Sequence, residues 1–139
     1  VIERHHALGN IGLGIVQGFN IHGGAIASTV AHDSHNLVMV GDNDDDMLLA
    51  AESLRECGGG FCVVSHGIVL ARLPLPIAGL MTDAPVDSVL EIQRALLDAA
   101  AYIGVDKKSD PLVALSVIPA IRLTDKGLFD SASFKFIEA

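Results

Sequence analysis

The chain has 139 residues and a formal net charge of −8; half of its residues are apolar but only 4% are aromatic. This length suits one domain with a core of Val, Ile, Leu and Ala. The acidic balance argues against a nucleic-acid partner, which needs a basic face to neutralise phosphates. No apolar run nears the ~20 residues of a membrane-spanning helix.

The chain opens at Val1 on a strand-like run, Val1 to His6, with no initiator Met and no signal peptide, which reads as a piece of a longer protein. Within it, Glu3-Arg4-His5-His6 is a first polar cluster, followed by Gly9-Asn10. Residues 11–20 are apolar and punctuated by Gly12, Gly14 and Gly18. The spacing is not that of a dinucleotide fingerprint, so the glycines are expected to let a strand bend or pack closely.

Gly23-Gly24 turns the chain into an apolar run at 25–30, and a second such run follows at 37–41. Both read as buried strands. Between them His32, Asp33, Ser34, His35 and Asn36 place two imidazoles, a carboxylate, a hydroxyl and an amide in five consecutive residues. A loop at the end of a rigid sheet is a common place for binding groups.

Asp42 to Asp46 resembles an acidic ligand loop but lacks the glycine and distal Glu of an EF-hand. A helix start explains it better, with Asn43 or Asp44 as the cap and the following carboxylates at the positive helix end. Met47, Ala50, Ala51 and Leu54 then recur at helical spacing, and Gly58-Gly59-Gly60 ends the helix. Residues 61–73 have the form of a hairpin turning at His66-Gly67, with His66 solvated. Pro74 and Pro76 close it, and Ile77 to Met81 is an apolar connection.

Asp83 and Pro85 start a second helix, with Val86, Val89, Leu90, Leu96, Leu97, Ala100 and Ile103 on its buried face and Gly104 at its end. Leu112 to Ile118 is apolar and bounded by Pro111 and Pro119, Thr124 to Gly127 is a turn, and Phe134 to Ile137 is a short strand. The expected fold is α+β: a mainly antiparallel sheet of about six strands with two principal helices. The order strand–helix–strand around residues 37–64 also permits one parallel crossover. Cys57 and Cys62 lack zinc or redox spacing and read as reduced thiols of a cytoplasmic protein.

On residue chemistry, the His32–His35 pair could serve a metal, but only if His5 or His6 came close enough to complete a ligand set. A Ser-His-Asp relay is formally possible, although neighbours on one loop rarely point at one another as it requires. The plainest reading is a polar loop that caps strand ends; contact with a ligand or substrate is the other reading.

Four segments, Glu3–His6, Gly9–Gly14, Gly24–Asn36 and Leu73–Met81, resemble the C-terminal domain of bacterial adenine deaminases, in the amidohydrolase superfamily. The resemblance runs over nearly the whole chain. One departure is Leu8, where the His-His-x-x-Gly pattern would carry Thr, so a hydroxyl beside the histidine pair is missing.

The resemblance implies hydrolysis of adenine to hypoxanthine and ammonia, a step of purine salvage in the cytoplasm. It further implies a binuclear manganese or iron centre on a TIM barrel, held by a His-x-His pair and further His, Glu and Asp ligands. This chain has no His-x-His and far too few residues for eight βα units, and the signature of cytidine-type zinc deaminases is also missing. The implied role is therefore an accessory domain with no catalytic residue, metal ligand or activity of its own. Its implied partners are the catalytic barrel of the same polypeptide, adenine as substrate of the whole enzyme, and further copies in a homo-oligomer. His32, Asp33, Ser34, His35 and Asn36, with His5 and His6, are then expected near the barrel mouth, in contact with substrate or with the groups around it. That surface should be partly exposed, with apolar margins. A purely structural or oligomerisation role is the competing expectation, and a free-standing metal-binding module a third.

Overall fold

The computed structural model describes residues 1–6, 8–32, 34–106, 110–118, 128–130 and 135–137. Its centre is a four-stranded antiparallel sheet of order β3-β2-β4-β5. The strands are β2 (Gly24–Ser28), β3 (Val38–Gly41), β4 (Gly60–Ser65) and β5 (Ile68–Pro74). Every residue of β2 is buried, which is why it reads as a continuous apolar run rather than an alternating one.

Side chains of β2 and β4 alternate between two helical layers, as the two-residue period of a strand requires. Ile26 and its cross-strand partner Val63 enter a core with Leu96, Ala100, Ile103, Leu112 and Leu115. Ala27 and its partner Cys62 face the other way, with Ala50, Leu54 and Val64. Alanine on that face lets α1 (Asp44–Glu56) lie close to the sheet. The opposite face is covered by α2 (Val86–Tyr102) and α3 (Pro111–Val117).

The expected start of α1 is present: Asn43 has extended backbone and its side chain accepts the Asp46 N–H at 2.8 Å. Gly58 to Gly60 follow the helix, all with positive φ. The hairpin turns at His66-Gly67, both left-handed, the pairing that suits a two-residue turn between right-twisted strands.

Several expectations need correction. The main sheet has four strands, not about six. A second, three-stranded sheet of order β1-β6-β7 joins β1 (Val16–Gln17) to β6 (Leu128–Asp130) and β7 (Lys135–Ile137). The pairing of β1 with β6 is parallel, a link between residues more than a hundred positions apart that no local pattern announces. Around residues 37–64 no parallel ladder forms: β3 and β4 lie on either side of β2, and each pairs antiparallel with it.

Val1 to His6 is not a strand but supplies single bridges, Ile2 to Ile11 and Ile2 to Leu37. Residues 111–117 form a third helix, with Pro111 in its first turn and the Asp110 side chain accepting the Leu112 and Val113 N–H groups. In α2 the C-terminal half is buried through Leu96, Ala99 and Ala100, whereas Val86 and Leu90 are exposed. Val89 and Ile92 are half-buried against the core, so the sequence stripe overstates the buried face only at Val86 and Leu90. Thr124 to Gly127 and Phe134 lie outside the described residues.

Candidate functional site

The polar loop 32–36 follows the Ser28 end of the sheet and is tied down to α3, to its own start and to the opening segment. The His32 N–H donates to the Ser116 carbonyl on α3 at 2.7 Å. Ser34 and His35 N–H groups turn back onto the His32 and Ala31 carbonyls. Leu37 exchanges a reciprocal pair of main-chain hydrogen bonds with Ile2, which brings the opening polar cluster alongside the loop.

That cluster divides into three tasks. Glu3 organises its own turn: Oε1 accepts the His5 and His6 N–H groups at 2.6 and 2.7 Å, and Oε2 accepts that of Leu8 at 3.0 Å. The N–H groups of His6 and Leu8 hold the Glu3 carboxyl below the usual range. The donor at position 8 is a main-chain N–H, so this bond does not depend on which side chain stands there.

Arg4 is a clamp, donating through Nε to the His35 carbonyl at 2.6 Å and through Nη2 to the Ala78 carbonyl at 2.8 Å. His35 (φ 47°) and Ala78 (φ 59°) both sit in the left-handed region that non-glycine residues avoid. A charged donor therefore holds two strained carbonyls, and strain of this kind tends to persist at functional sites. Gly79 makes room for it, since a Cβ there would fall 2.8 Å from Nη2 of Arg4. His5 performs the third task, with Nε2 2.8 Å from the Ser34 carbonyl oxygen.

Beneath the clamp, Thr29 Oγ1 accepts the Gly60 N–H and donates to the Gly79 carbonyl, both at 2.7 Å. A Cβ on Gly59 would lie 2.8 Å from that hydroxyl and 2.6 Å from Gly79 Cα, so the close approach requires glycine.

Of the expected site residues, the fold brings together His5, Ser34 and His35. Ser34 and Asn36 line a cleft of about 430 Å³ together with Val1, Glu3, Asn10, Ile11 and Gly12. His32 and His6 are exposed, and His35 is half-buried. The Nδ1 of His35 is buried and has no hydrogen-bond partner among the described residues. Asp33 lies outside the described residues. The Ser34 hydroxyl sits against the Asn36 N–H, an arrangement of loop closure rather than a nucleophile's relay. Among the described residues no three His, Cys, Asp or Glu side chains converge as a metal-ligand set, so the residues here do not fit the binuclear centre implied for the family.

The residue-by-residue reading of the chain did not single out Arg4 and Asn10 as site residues. The signal for Arg4 was a lone cation amid the opening acid and imidazoles, but its targets are main-chain carbonyls that no sequence pattern marks.

The acidic run 42–46 does structural work at the opposite end of β2. Asp42 accepts the Gly23 and Gly24 N–H groups at 2.6 and 2.9 Å, and these hold its carboxyl below the ordinary value. Asp46 is buried and accepts from His66 N–H, Gly67 N–H and the Asn43 amide. Burial opposes its ionisation most strongly, yet those donors together outweigh burial and hold its carboxyl low. His66 is exposed, its ring lying over Gly23.

The family model that matches is the adenine deaminase C-terminal domain, over residues 1–135. Among curated relatives, the adenine deaminase of Nitratidesulfovibrio vulgaris is 49% identical over 142 residues, covering 98% of this chain and 25% of the relative. That of Leuconostoc mesenteroides is 52% identical, covering 99% of this chain and 25% of the relative. That of Clostridium botulinum is 48% identical over 141 residues, covering 99% of this chain and 24% of the relative. The chain thus spans about a quarter of the length of these relatives.

Proposed function

The chain belongs to the adenine deaminase C-terminal domain family, and from that premise we propose that it is the accessory domain of an adenine-hydrolysing enzyme, seated at the mouth of that enzyme's catalytic barrel. The whole reaction breaks the C6–N bond of adenine and forms a C6–O bond from water, releasing hypoxanthine and ammonia. Manganese or iron for that reaction belongs to the barrel, and no step of it is assigned to metal held here. This domain's share is to close the mouth against bulk water, to contact the purine edge, and to move a proton toward the departing amine nitrogen. An imidazole suits that last task because it exchanges a proton near neutral pH.

One observation carries this reading. His35 is held in a left-handed backbone with its carbonyl fixed by Arg4, its buried Nδ1 has no partner among the described residues, and its chain neighbours Ser34 and Asn36 line an open cleft. A buried polar atom left unpaired costs about 1–3 kcal/mol, so it points to a partner supplied from outside the domain. Ser34, Asn36 and His5 stand beside it, and His32, His6 and Asp33 complete the group expected at the mouth.

The second reading is a purely structural or oligomerising domain. It is favoured by the open edge of the main sheet, where Ile68, Val69 and Leu70 of β5 are exposed. Replacing His32 and His35 together by Asn in the full-length protein separates the two. The mouth reading expects kcat to fall by a factor of about a hundred, with the melting temperature nearly unchanged. Unchanged kcat and KM would leave the structural reading in possession.

A further inference from the structure

We propose that residues 8–15 form the seat of this domain, an apolar strap that packs against the polypeptide preceding it in the full-length protein. The inference rests on the accessory-domain reading and names the surface that reading leaves unspecified. Leu8, Ile11, Leu13 and Ile15 are 66, 62, 87 and 72% exposed, four large apolar side chains within eight residues. Ile11, Leu13 and Ile15 recur every second residue, which in an extended chain puts them on one side. Nothing between His6 and His22 carries a charge, in a chain with 26 charged side chains. Apart from the β5 edge at Ile68, Val69 and Leu70, exposed apolar residues such as Leu48, Val86 and Val113 stand more nearly singly, which is ordinary for a protein surface.

The strap is held in place rather than left loose. Gly12 exchanges hydrogen bonds with Val1 in both directions at 2.8 Å, and the Glu3 N–H donates to the Asn10 carbonyl at 3.0 Å. Its occupant follows from the relatives. They are about four times as long as this chain, and the matching family is a C-terminal one, so the rest of the polypeptide precedes the domain. Val1 is hydrogen-bonded to Gly12 in the middle of the strap. The occupant is accordingly an uncharged, apolar face of the same polypeptide.

Photo-crosslinking tests this in the full-length protein with p-benzoylphenylalanine introduced at position 13, after mixing and reassociating subunits labelled with 14N and 15N. The expected product joins Leu13→p-benzoylphenylalanine to a peptide N-terminal to the domain, with both peptides carrying the same isotope. A mixed-isotope product, showing a second copy on the strap, or no product at all would overturn the proposal. A parallel variant, Leu13→Asp, is expected to release the domain to protease at least about tenfold faster as its docking weakens; an unchanged release rate counts against the seat. An intrachain product together with unaffected kinetics in the His32/His35 variant keeps the seat and sinks the mouth reading. A slowed His32/His35 variant without that product does the reverse.

Discussion

The two ends of β2 use the same materials to opposite effect. At the Gly24 end, Asp42, Asp46, Asn43 and the His66-Gly67 turn close on themselves: the acidic carboxylates accept the main-chain N–H groups of the two adjoining turns. At the Ser28 end, Arg4 and His5 fasten the loop 32–36 by the carbonyls of His35 and Ser34 and leave the Ser34 and Asn36 side chains at a cleft, with one imidazole nitrogen unpaired among the described residues. A carboxylate beside histidines and glycines thus says little about function by itself. What distinguishes the two ends is whether the polar groups satisfy one another or remain available.

The sharpest way to break that contrast is to attack the closed end. Asp46→Ala leaves two N–H groups of the hairpin turn without their acceptor and removes one of the two acceptors of the Asn43 amide, and is expected to destabilise the chain by about 2–3 kcal/mol in denaturant melts. A loss under about 0.5 kcal/mol would mean that the acidic end is not the structural one. The same carboxylates set an acid limb. Asp42 and Asp46 are held below the ordinary value of 3.8, so the unfolded chain takes up protons before the folded one does. Their stabilisation is complete above that value and is lost as pH falls through it toward the folded values. Asp46→Asn should therefore flatten the dependence of melting temperature on pH between roughly 5 and 3.

A smaller effect is expected at the clamp. Gly79→Ala puts a Cβ against the Arg4 guanidinium on a backbone with φ of 74°, for a cost of about 1–2 kcal/mol. Beyond stability, it should detach Arg4 from Ala78. Exchange of the Arg4 Nη2 protons, followed by NMR, would quicken if the bond to Ala78 is released and stay slow if it is not. Smallest of all is Leu13→Ser in the 139-residue chain, expected to change stability by less than about 0.5 kcal/mol because the side chain is almost fully in water here. A large loss would show that the strap belongs to this domain's own core.

Much of the closed end was legible in advance. Asn43 followed by three aspartates, an apolar stripe at 47, 50, 51 and 54, and then three glycines announce a capped helix through local physics alone, and α1 forms there. His66-Gly67 between apolar runs announces a hairpin for the same reason. The open end was legible only as a concentration of polar residues. That His5 meets the Ser34 carbonyl, or that Arg4 reaches both His35 and Ala78, depends on partners 29, 31 and 74 positions away. The third helix was missed although Asp110-Pro111 is a good helix start. Its apolar run is too short for its period to tell helix from strand.

By itself the sequence determined the α+β class, the approximate places of the central strands and first helix, the family, and where polar residues concentrate, because propensity, capping and periodicity act over a few neighbours. Only the tertiary structure decided that the central sheet has four strands with a second sheet beside it, that Val86 and Leu90 of α2 are exposed, and that one polar cluster is consumed in holding the fold while the other borders a cleft. Those outcomes depend on which distant segments share space, and hydrogen bonds and burial at that range leave no periodic trace in the chain.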